Sequence, residues 1–421
     1  MTEIITNQDA QYALDIVKKI CTEVGPGIAG SSQERERAAM IQEELESHLG
    51  AGNVAVEEFT VAPEATLSPY PGVPFMILAA LLNISTGHLP GISPWLTATA
   101  ALVFSILTPL LFILEFILGF EVIDPFFRKK ESVNVIGTLR SPGTQNVKRL
   151  LLLGGHHDSA PENTWFRFLG FGFFILSGIF FIGAITMLVM SVIQLTGVIL
   201  DKADIVRAGT LGWVLLAFPI TPSIIFVWFQ TRGWKNGGNV PGAVDNLSAS
   251  AVGVAMCRFL VKNPSYIPAD TEIRFVSFGS EEVGLRGSRR YVERHLDELK
   301  RLEARLLNFE MIAYPEIGIL TGDVNGTLKY PPEVVKSAVA AAERAGVPYK
   351  VTSATIGVNT DAASFNKAGL KALTLFPFKF PQQTVAFYHT YRDRPEVMTI
   401  EPLFNVLKLA FEWVRNGGEG S

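Results

Sequence analysis

Cysteine is nearly absent: Cys21 and Cys257 are the only two in 421 residues. They have no framework spacing, which excludes a small scaffold built on disulfides. A formal net charge of −4 and the lack of any long like-charge block leave no basic surface for nucleic acid and no disordered charged tail. The opening "MTEIITNQDAQYALDIVKKI" lacks an apolar signal region and reads as an amphipathic helix, so no cleaved export signal is expected. Above all, charge is missing over long stretches. None falls between Phe168 and Leu200 or between Ala208 and Thr231.

Each uncharged run can cross a hydrocarbon core, which takes about 20 residues of helix. With 48% hydrophobic and 18% charged residues and a mean hydropathy of +0.29, the chain is more apolar than most soluble enzymes, and the excess is localised. An earlier pair is less even, with Leu96 to Leu114 a clean span and Val73 to Ser85 short and interrupted by Asn83. Four membrane helices in two hairpins are therefore expected, 70–90 with 94–120 and 166–200 with 207–230. Buried helices of a large soluble core are the competing explanation. Arg128, Lys129 and Lys130 follow the first hairpin, and Arg167, Arg232 and Lys235 bracket the second. The loop at 86–93 has no Lys or Arg and the loop at 201–207 has Lys202 and Arg207, so the bias places the polar domain in the cytoplasm. Glu115, near the end of the second helix, fits an interfacial position.

Outside the hairpins, strand-like and helix-like segments alternate. Short β-branched or aromatic runs at 54–60, 133–139, 149–155, 272–278, 306–312 and 372–376 predict strands. Helical patterns fit 248–262, 286–299, 331–346 and 398–415, and "SSQERERAAMIQEELESHL" opens with a capping box of Ser31 and Glu34. The pattern predicts an α/β domain with a mainly parallel central sheet flanked by helices, discontinuous over 1–68, 122–164 and 232–421. The hairpins occupy 69–121 and 165–231. In such a domain, sites gather where loops leave the carboxyl ends of strands.

The polar motifs fall there. His156-His157-Asp158 follows the strand "RLLLLGG", and alternate-residue spacing lets His156 and Asp158 face one way, with an imidazole for a metal and a carboxylate for its other N–H. Taken alone, it could equally be structural. In "PGAVDNLSASAVGVAMCRFL", Asp245 stands in a Gly-rich turn before a helix, where a turn former with Asn246 or Ser248 as helix cap is the plain alternative. Glu281 and Glu282 close the strand "EIRFVSFGS". Paired acids can divide labour, one on a metal and one taking a proton from water, although a solvated pair would look similar. Glu310 in "LLNFEMIAY" lies in an apolar strand and needs a cation partner. His389 in "FYHTYRD" completes the set. Two histidines and three carboxylates can hold two zinc ions if one carboxylate bridges them.

In order and wording these motifs resemble the M28 metallopeptidases, aminopeptidase-like zinc exopeptidases with a phosphorylase/hydrolase-like fold. The likeness rests on "HHDS", "GAVDNLSAS", "EEVGLRGS", "NFEMI" and "YHTYRD", with the amino-terminal "GPGIAGSSQERERAAMIQEEL", and covers nearly everything outside the hairpins. It implies two zinc ions per chain. His156 and Glu310 would be terminal ligands of one, Glu282 and His389 of the other, and Asp245 the bridge. Glu281 would be the general base for a metal-bridging hydroxide, Asp158 would orient His156, and Tyr388 would stabilise the oxyanion. Two departures stand out: Glu310 where many members have Asp, and Ala249-Ser250 where a Gly usually follows the serine. The resemblance implies an aminopeptidase acting on peptide or other amide bonds. The second hairpin fills the 87 positions between Asp158 and Asp245, motifs that ordinary members keep close. An active site held at a bilayer would suit apolar or lipid-linked substrates, such as lipopeptides or N-acyl amino acids. Other classes are a single-zinc glutaminyl cyclase and a transporter with a vestigial hydrolase. The spans lack the clustered charges a transporter would show, although Pro109, Pro219 and Pro222 could kink them.

Overall fold

The computed structural model describes residues 4–67, 72–216, 219–220, 240–324, 326–353, 359–379 and 382–420. Two compact units divide the chain: Met1–Pro63, Lys129–Pro161 and Asn239–Ser421 make one, and Glu64–Arg128 with Glu162–Gly238 the other.

The first unit is α/β. Its strands are β1 (Val54–Val61), β2 (Lys130–Arg140), β3 (Arg149–His156), β4 (Thr271–Phe278), β5 (Arg305–Phe309), β6 (Ile317–Leu320), β7 (Gly322–Asp323), β8 (Leu328–Lys329), β9 (Tyr349–Thr352) and β10 (Lys371–Phe376). Eight form one sheet in the order β1-β2-β4-β3-β5-β10-β6-β9, and β7 and β8 pair apart. The four central strands, β4, β3, β5 and β10, run parallel. The run Leu150 to Leu153 is fully buried, as a strand covered on both faces requires. Successive side chains point to opposite faces. Phe275 accordingly packs at Gly253 of the helix Ser248–Lys262, while Phe278 meets Tyr291 and Phe365 from the helices Arg286–Arg301 and Ala362–Lys367. The expected strands and helices are all present. β6 and β9, four residues each, are additions that no sequence pattern announced.

The second unit is helical: Val73–Ser85, Pro94–Phe112 with an irregular extension Ile113–Leu118, Gly172–Ile199, and residues 203–216. The first is shorter than the expected 70–90, because Thr86 turns extended and leaves the helix only 13 residues. The fourth expected span, 207–230, lies largely outside the described residues, as do Pro222, Arg232 and Lys235. Around a small apolar cluster that includes Met76, Phe180, Met187 and Trp213, large aliphatic side chains face outward and polar ones are buried. Ile175, Ile182, Ile185 and Leu215 are each at least 65% exposed, whereas Asn83, Ser105, Ser191 and Gln194 are buried. Asn83 Nδ2 donates to Ser191 Oγ at 2.9 Å, Ser191 and Ser105 hydroxyls pair at 2.8 Å, and Gln194 Nε2 donates to the Asn83 carbonyl at 2.8 Å. Glu115 accepts from the Ile123 amide at 2.9 Å, closing the turn after its helix.

Among the described residues, Pro94–Glu115, Gly172–Ile199 and Ala243–Lys262 are long and apolar enough to cross a membrane. The third is a core helix of the α/β unit, buried almost throughout.

Candidate metal centre

Three of the parallel strands end in site residues. β3 terminates on His156, β4 leads through Gly279 and Ser280 into Glu281-Glu282, and β5 runs into Glu310. Asp245 arrives on the turn before the helix Ser248–Lys262, and His389 follows the segment after β10.

The structure brings all five expected ligands together. His156 Nε2 lies 3.4 Å from Asp245 Oδ1 and 3.5 Å from Glu310 Oε1. His389 Nε2 lies 3.0 Å from Asp245 Oδ2 and 3.3 Å from Glu282 Oε2. The two oxygens of Asp245 thus face two separate groups, each of which could hold a cation. Glu281 Oε2 approaches His156 Nε2 at 3.6 Å, and Tyr388 stacks on His389 with ring centroids 3.8 Å apart. Asp158 lies 3.3 Å from His156 Nδ1, and it also accepts the amides of Glu281 and Glu282 at 3.0 and 3.1 Å. It therefore fixes the acid pair as well as the imidazole.

Burial is the largest influence on every acid here, and proximity compounds it. Burial pushes Glu310 up to about 8 against the pull of His156. Glu281 is raised well above the usual carboxylate range by burial and by Glu310 and Glu282, and burial raises Glu282 too. Asp245 moves the other way: burial opposes its charge, but hydrogen bonds from His156 and His389 hold it well below the usual range. Burial should depress His389, yet Glu282 and Asp245 lift it to about 10. Tyr388 is raised far above its usual value by burial and then by the carboxylates, so its phenol stays a donor. Acids that retain protons beside imidazoles that seek them mark a pocket short of positive charge. Glu282 Oε1 and Glu310 Oε2 are buried without a hydrogen-bond partner. Mixed nitrogen and oxygen donors with orphaned carboxylate oxygens fit a divalent cation such as zinc.

Supporting residues were not legible as such. Asp393 accepts the amides of Val244 and Asp245 at 2.8 and 3.1 Å and so aims the carboxylate of Asp245. Asn246 and Ser248 do not cap the following helix by their side chains. Asn246 instead brackets Glu310, donating to the Phe309 carbonyl at 3.1 Å and accepting from the Met311 amide at 3.2 Å. Ser248 joins in, accepting from the Ile312 amide at 3.1 Å. The Ala249-Ser250 departure is accommodated locally. A Cβ on Gly155 would lie 2.4 Å from that of Ala249, so glycine in β3 makes room, and Ser250 donates to the His156 carbonyl at 3.0 Å.

Residues 229–414 match Peptidase family M28. The carboxyl-terminal part of the chain is thus similar to that family. His156 and Asp158 precede the matched range, and only the fold carries them to the site. Aminopeptidase YwaD of Bacillus subtilis is 33% identical over 189 residues, 43% of this chain and 38% of that protein. The chain thus aligns with well under half the length of this curated relative. Among solved structures, BSAP, a zinc aminopeptidase from Bacillus subtilis, is similar with a TM-score of 0.54 at 18% identity, over 97% of this chain and 94% of that one. A glutaminyl cyclase from Fimbriiglobus ruber gives 0.53 at 14%, over 96% and 94%.

Proposed function

We propose that the chain is a membrane-anchored, zinc-dependent hydrolase of peptide bonds, an aminopeptidase that removes amino-terminal residues. The observation that carries this reading is Asp245, which offers one oxygen to His156 and Glu310 and the other to His389 and Glu282. When bound, a zinc pair supplies Lewis acidity to the scissile carbonyl and acidifies an attacking water. His156 and Glu310 would hold one ion, Glu282 and His389 the other, with Asp245 shared between them. Glu281, raised well above the usual carboxylate range by burial, takes the proton from the attacking water and returns it to the leaving amine. Asp158 keeps Glu281 in place through its amide, and the Tyr388 phenol donates to the developing oxyanion.

The exposed aliphatic surface of the helical unit and its buried hydroxyl and amide bonds support anchoring, since large aliphatic side chains on a bundle surface are at home in lipid, and such interhelical bonds join helices there. The Lys and Arg bias supports a cytoplasmic α/β unit. A substrate that is itself apolar, a lipopeptide or an N-acyl amino acid, is the second reading, favoured by the same surface. A one-zinc glutaminyl cyclase has a similar fold, but the full set of five donors favours two ions.

The test uses the full chain in lipid nanodiscs. Zinc content near two per chain is expected, with turnover of aminoacyl-p-nitroanilides. Glu281→Gln should lower kcat by about 10²- to 10⁴-fold with zinc content unchanged. Content near one with cyclisation of amino-terminal glutamine supports the cyclase, turnover confined to N-acyl amino acids supports the lipid reading, and full activity in Glu281→Gln rules out the assigned base.

A further inference from the structure

Two charged side chains that are not in the candidate centre are nonetheless fully buried, one turn apart on the helix Ser32–Leu49: Glu34 and Arg37. Burying an ion costs several kcal/mol unless its hydrogen bonds are met. Both sets are met by the chain around the centre. Glu34 Oε1 accepts from the Ser280 amide at 2.7 Å, the Ser280 hydroxyl at 2.8 Å and the Ser132 hydroxyl at 2.9 Å. Its Oε2 accepts from the Gly30 amide at 2.6 Å. Arg37 donates to the Gly25 carbonyl at 2.8 Å, to the His157 carbonyl at 3.0 Å and to the Pro241 carbonyl.

These partners are specific in position. His157 lies between His156 and Asp158, Pro241 begins the approach to Asp245, and Ser280 adjoins Glu281. Ser280 sits at φ 53°, a left-handed conformation that a non-glycine residue keeps only when its surroundings impose it. The fit is close. A Cβ on Gly279 would come within 3.2 Å of Glu34 Oε1, and one on Gly27 within 2.5 Å of Arg37 Cδ. Arg37 therefore ties together the two segments that the long second insertion separates, and Glu34 ties the acid turn to the same helix.

We propose that Arg37 and Glu34 are positioning residues for the metal centre: Arg37 sets the register of His156 against Asp245, and Glu34 sets the turn bearing Glu281 and Glu282. This rests on the zinc-hydrolase reading. A neutral, well-packed pair would fill the same space at lower cost, so what the buried charges contribute is geometry.

Full-length Arg37→Met, Arg37→Lys and Glu34→Gln are compared with the parent chain in nanodiscs. Hydrogen exchange on the metal-free protein, zinc titration against a chromophoric chelator, and kcat with KM are measured. Arg37→Met should speed exchange in 155–160 and 241–247 but not in 278–285, and weaken zinc binding by about 10- to 100-fold. Glu34→Gln should do the reverse, speeding exchange in 278–285 and lowering kcat with KM within about twofold. Arg37→Lys, which keeps the charge but loses the fork, should fall between Arg37→Met and the parent, and it decides the matter if Arg37→Met does not fold. Lower thermal stability with zinc affinity unchanged and exchange raised evenly across the α/β unit would overturn the proposal, leaving both residues merely structural. A parent chain that takes up no zinc would sink the hydrolase reading, while the exchange pattern would still decide the clamp.

Discussion

The two units of this chain use the same amino acids to opposite ends. In the α/β unit, aliphatic side chains fill the interior, and the densest cluster of buried charge is at the carboxyl edge of the sheet, where Asp158, Asp245, Glu281, Glu282 and Glu310 gather. In the helical unit aliphatic side chains such as Ile175, Ile182 and Ile185 are also on the outside, and the uncharged polar groups of Asn83, Ser105, Ser191 and Gln194 are buried beside an apolar cluster that includes Met76, Phe180, Met187 and Trp213. One interior concentrates charge for chemistry; in the other, the described residues of the helices Val73–Ser85, Pro94–Phe112 and Gly172–Ile199 bury no charge, and hydroxyls and amides join them. The difference teaches that hydropathy by itself does not say which face is the inside. The segments Ala243–Lys262 and Gly172–Ile199 are both long and apolar enough to span, yet the first is a core element of the α/β unit and the second presents Ile175, Ile182 and Ile185 outward.

The largest effect expected from probing this contrast comes from removing metal from the α/β unit, because several groups respond together. Burial lifts Glu310 to about 8 and Glu281 well above its usual range, and neighbouring carboxylates lift His389 to about 10. The two glutamates bind more protons folded than unfolded as pH rises from the ordinary carboxylate range, Glu310 up to about pH 8, and His389 does so from the ordinary imidazole range up to about pH 10. By linkage, stability must then fall as pH rises across those windows. Asp245, shifted the opposite way, contributes stability that is already complete above the ordinary carboxylate range and is lost only as pH falls below it, so it does not offset the trend. Thermal melting of chelated protein should therefore be higher at pH 5 than at pH 8, and saturating zinc should flatten or invert the slope, since metal and protons compete for the same atoms. Equal slopes with and without zinc would mean that the cluster does not bind it.

A smaller but more discriminating effect falls on the other unit. Ile182 is 66% exposed. On a water-facing surface, Ile182→Arg should change stability by no more than about 0.5 kcal/mol. Facing the middle of a bilayer it should cost about 2.5 to 3.5 kcal/mol of insertion free energy. Insertion of the Gly172–Ile199 segment in a glycosylation-reporter assay gives the number directly. A value near zero would turn the bundle's exposed aliphatic face into an ordinary surface and break the contrast between the units.

Much of this contrast was legible in the sequence, for identifiable reasons. Continuous apolar runs such as "RLLLL" become buried parallel strands, and the acids and imidazoles placed just after them converge because parallel strands share one carboxyl edge. What escaped is charge that looks solvated. "SSQERERAAM" reads as a polar helical face, yet Glu34, Arg37, Ala38, Ile41 and Leu45 recur at helical spacing and are all buried. That stripe of two ions with three aliphatics was the available signal. Asp393 closes the motif "YHTYRD", but its role escaped, since it depends on a loop from 148 residues earlier in the chain returning to it. The short strands β6 and β9 carry too few residues for a periodicity to show.

The finest test compares one chemical pair in both settings. Ser250 and Ser277 share a hydrogen bond of 2.8 Å beneath His156, and Ser105 and Ser191 share one of the same length in the helical unit. In the α/β unit, Ser250→Ala also strips the buried His156 carbonyl of a donor, so the expected loss is about 1 to 3 kcal/mol. In the bundle, Ser105→Ala leaves Ser191 still bonded to Asn83 and to the Met187 carbonyl. If lipid is the surroundings, the unfolded helices also find internal partners there, and the expected loss is only about 0.6 kcal/mol. Chemical denaturation of the full chain in nanodiscs, with a fluorescent reporter in each unit, measures both. Equal losses would mean that the two interiors meet the same solvent, and the reading of the helical unit as a membrane element would fall with that result.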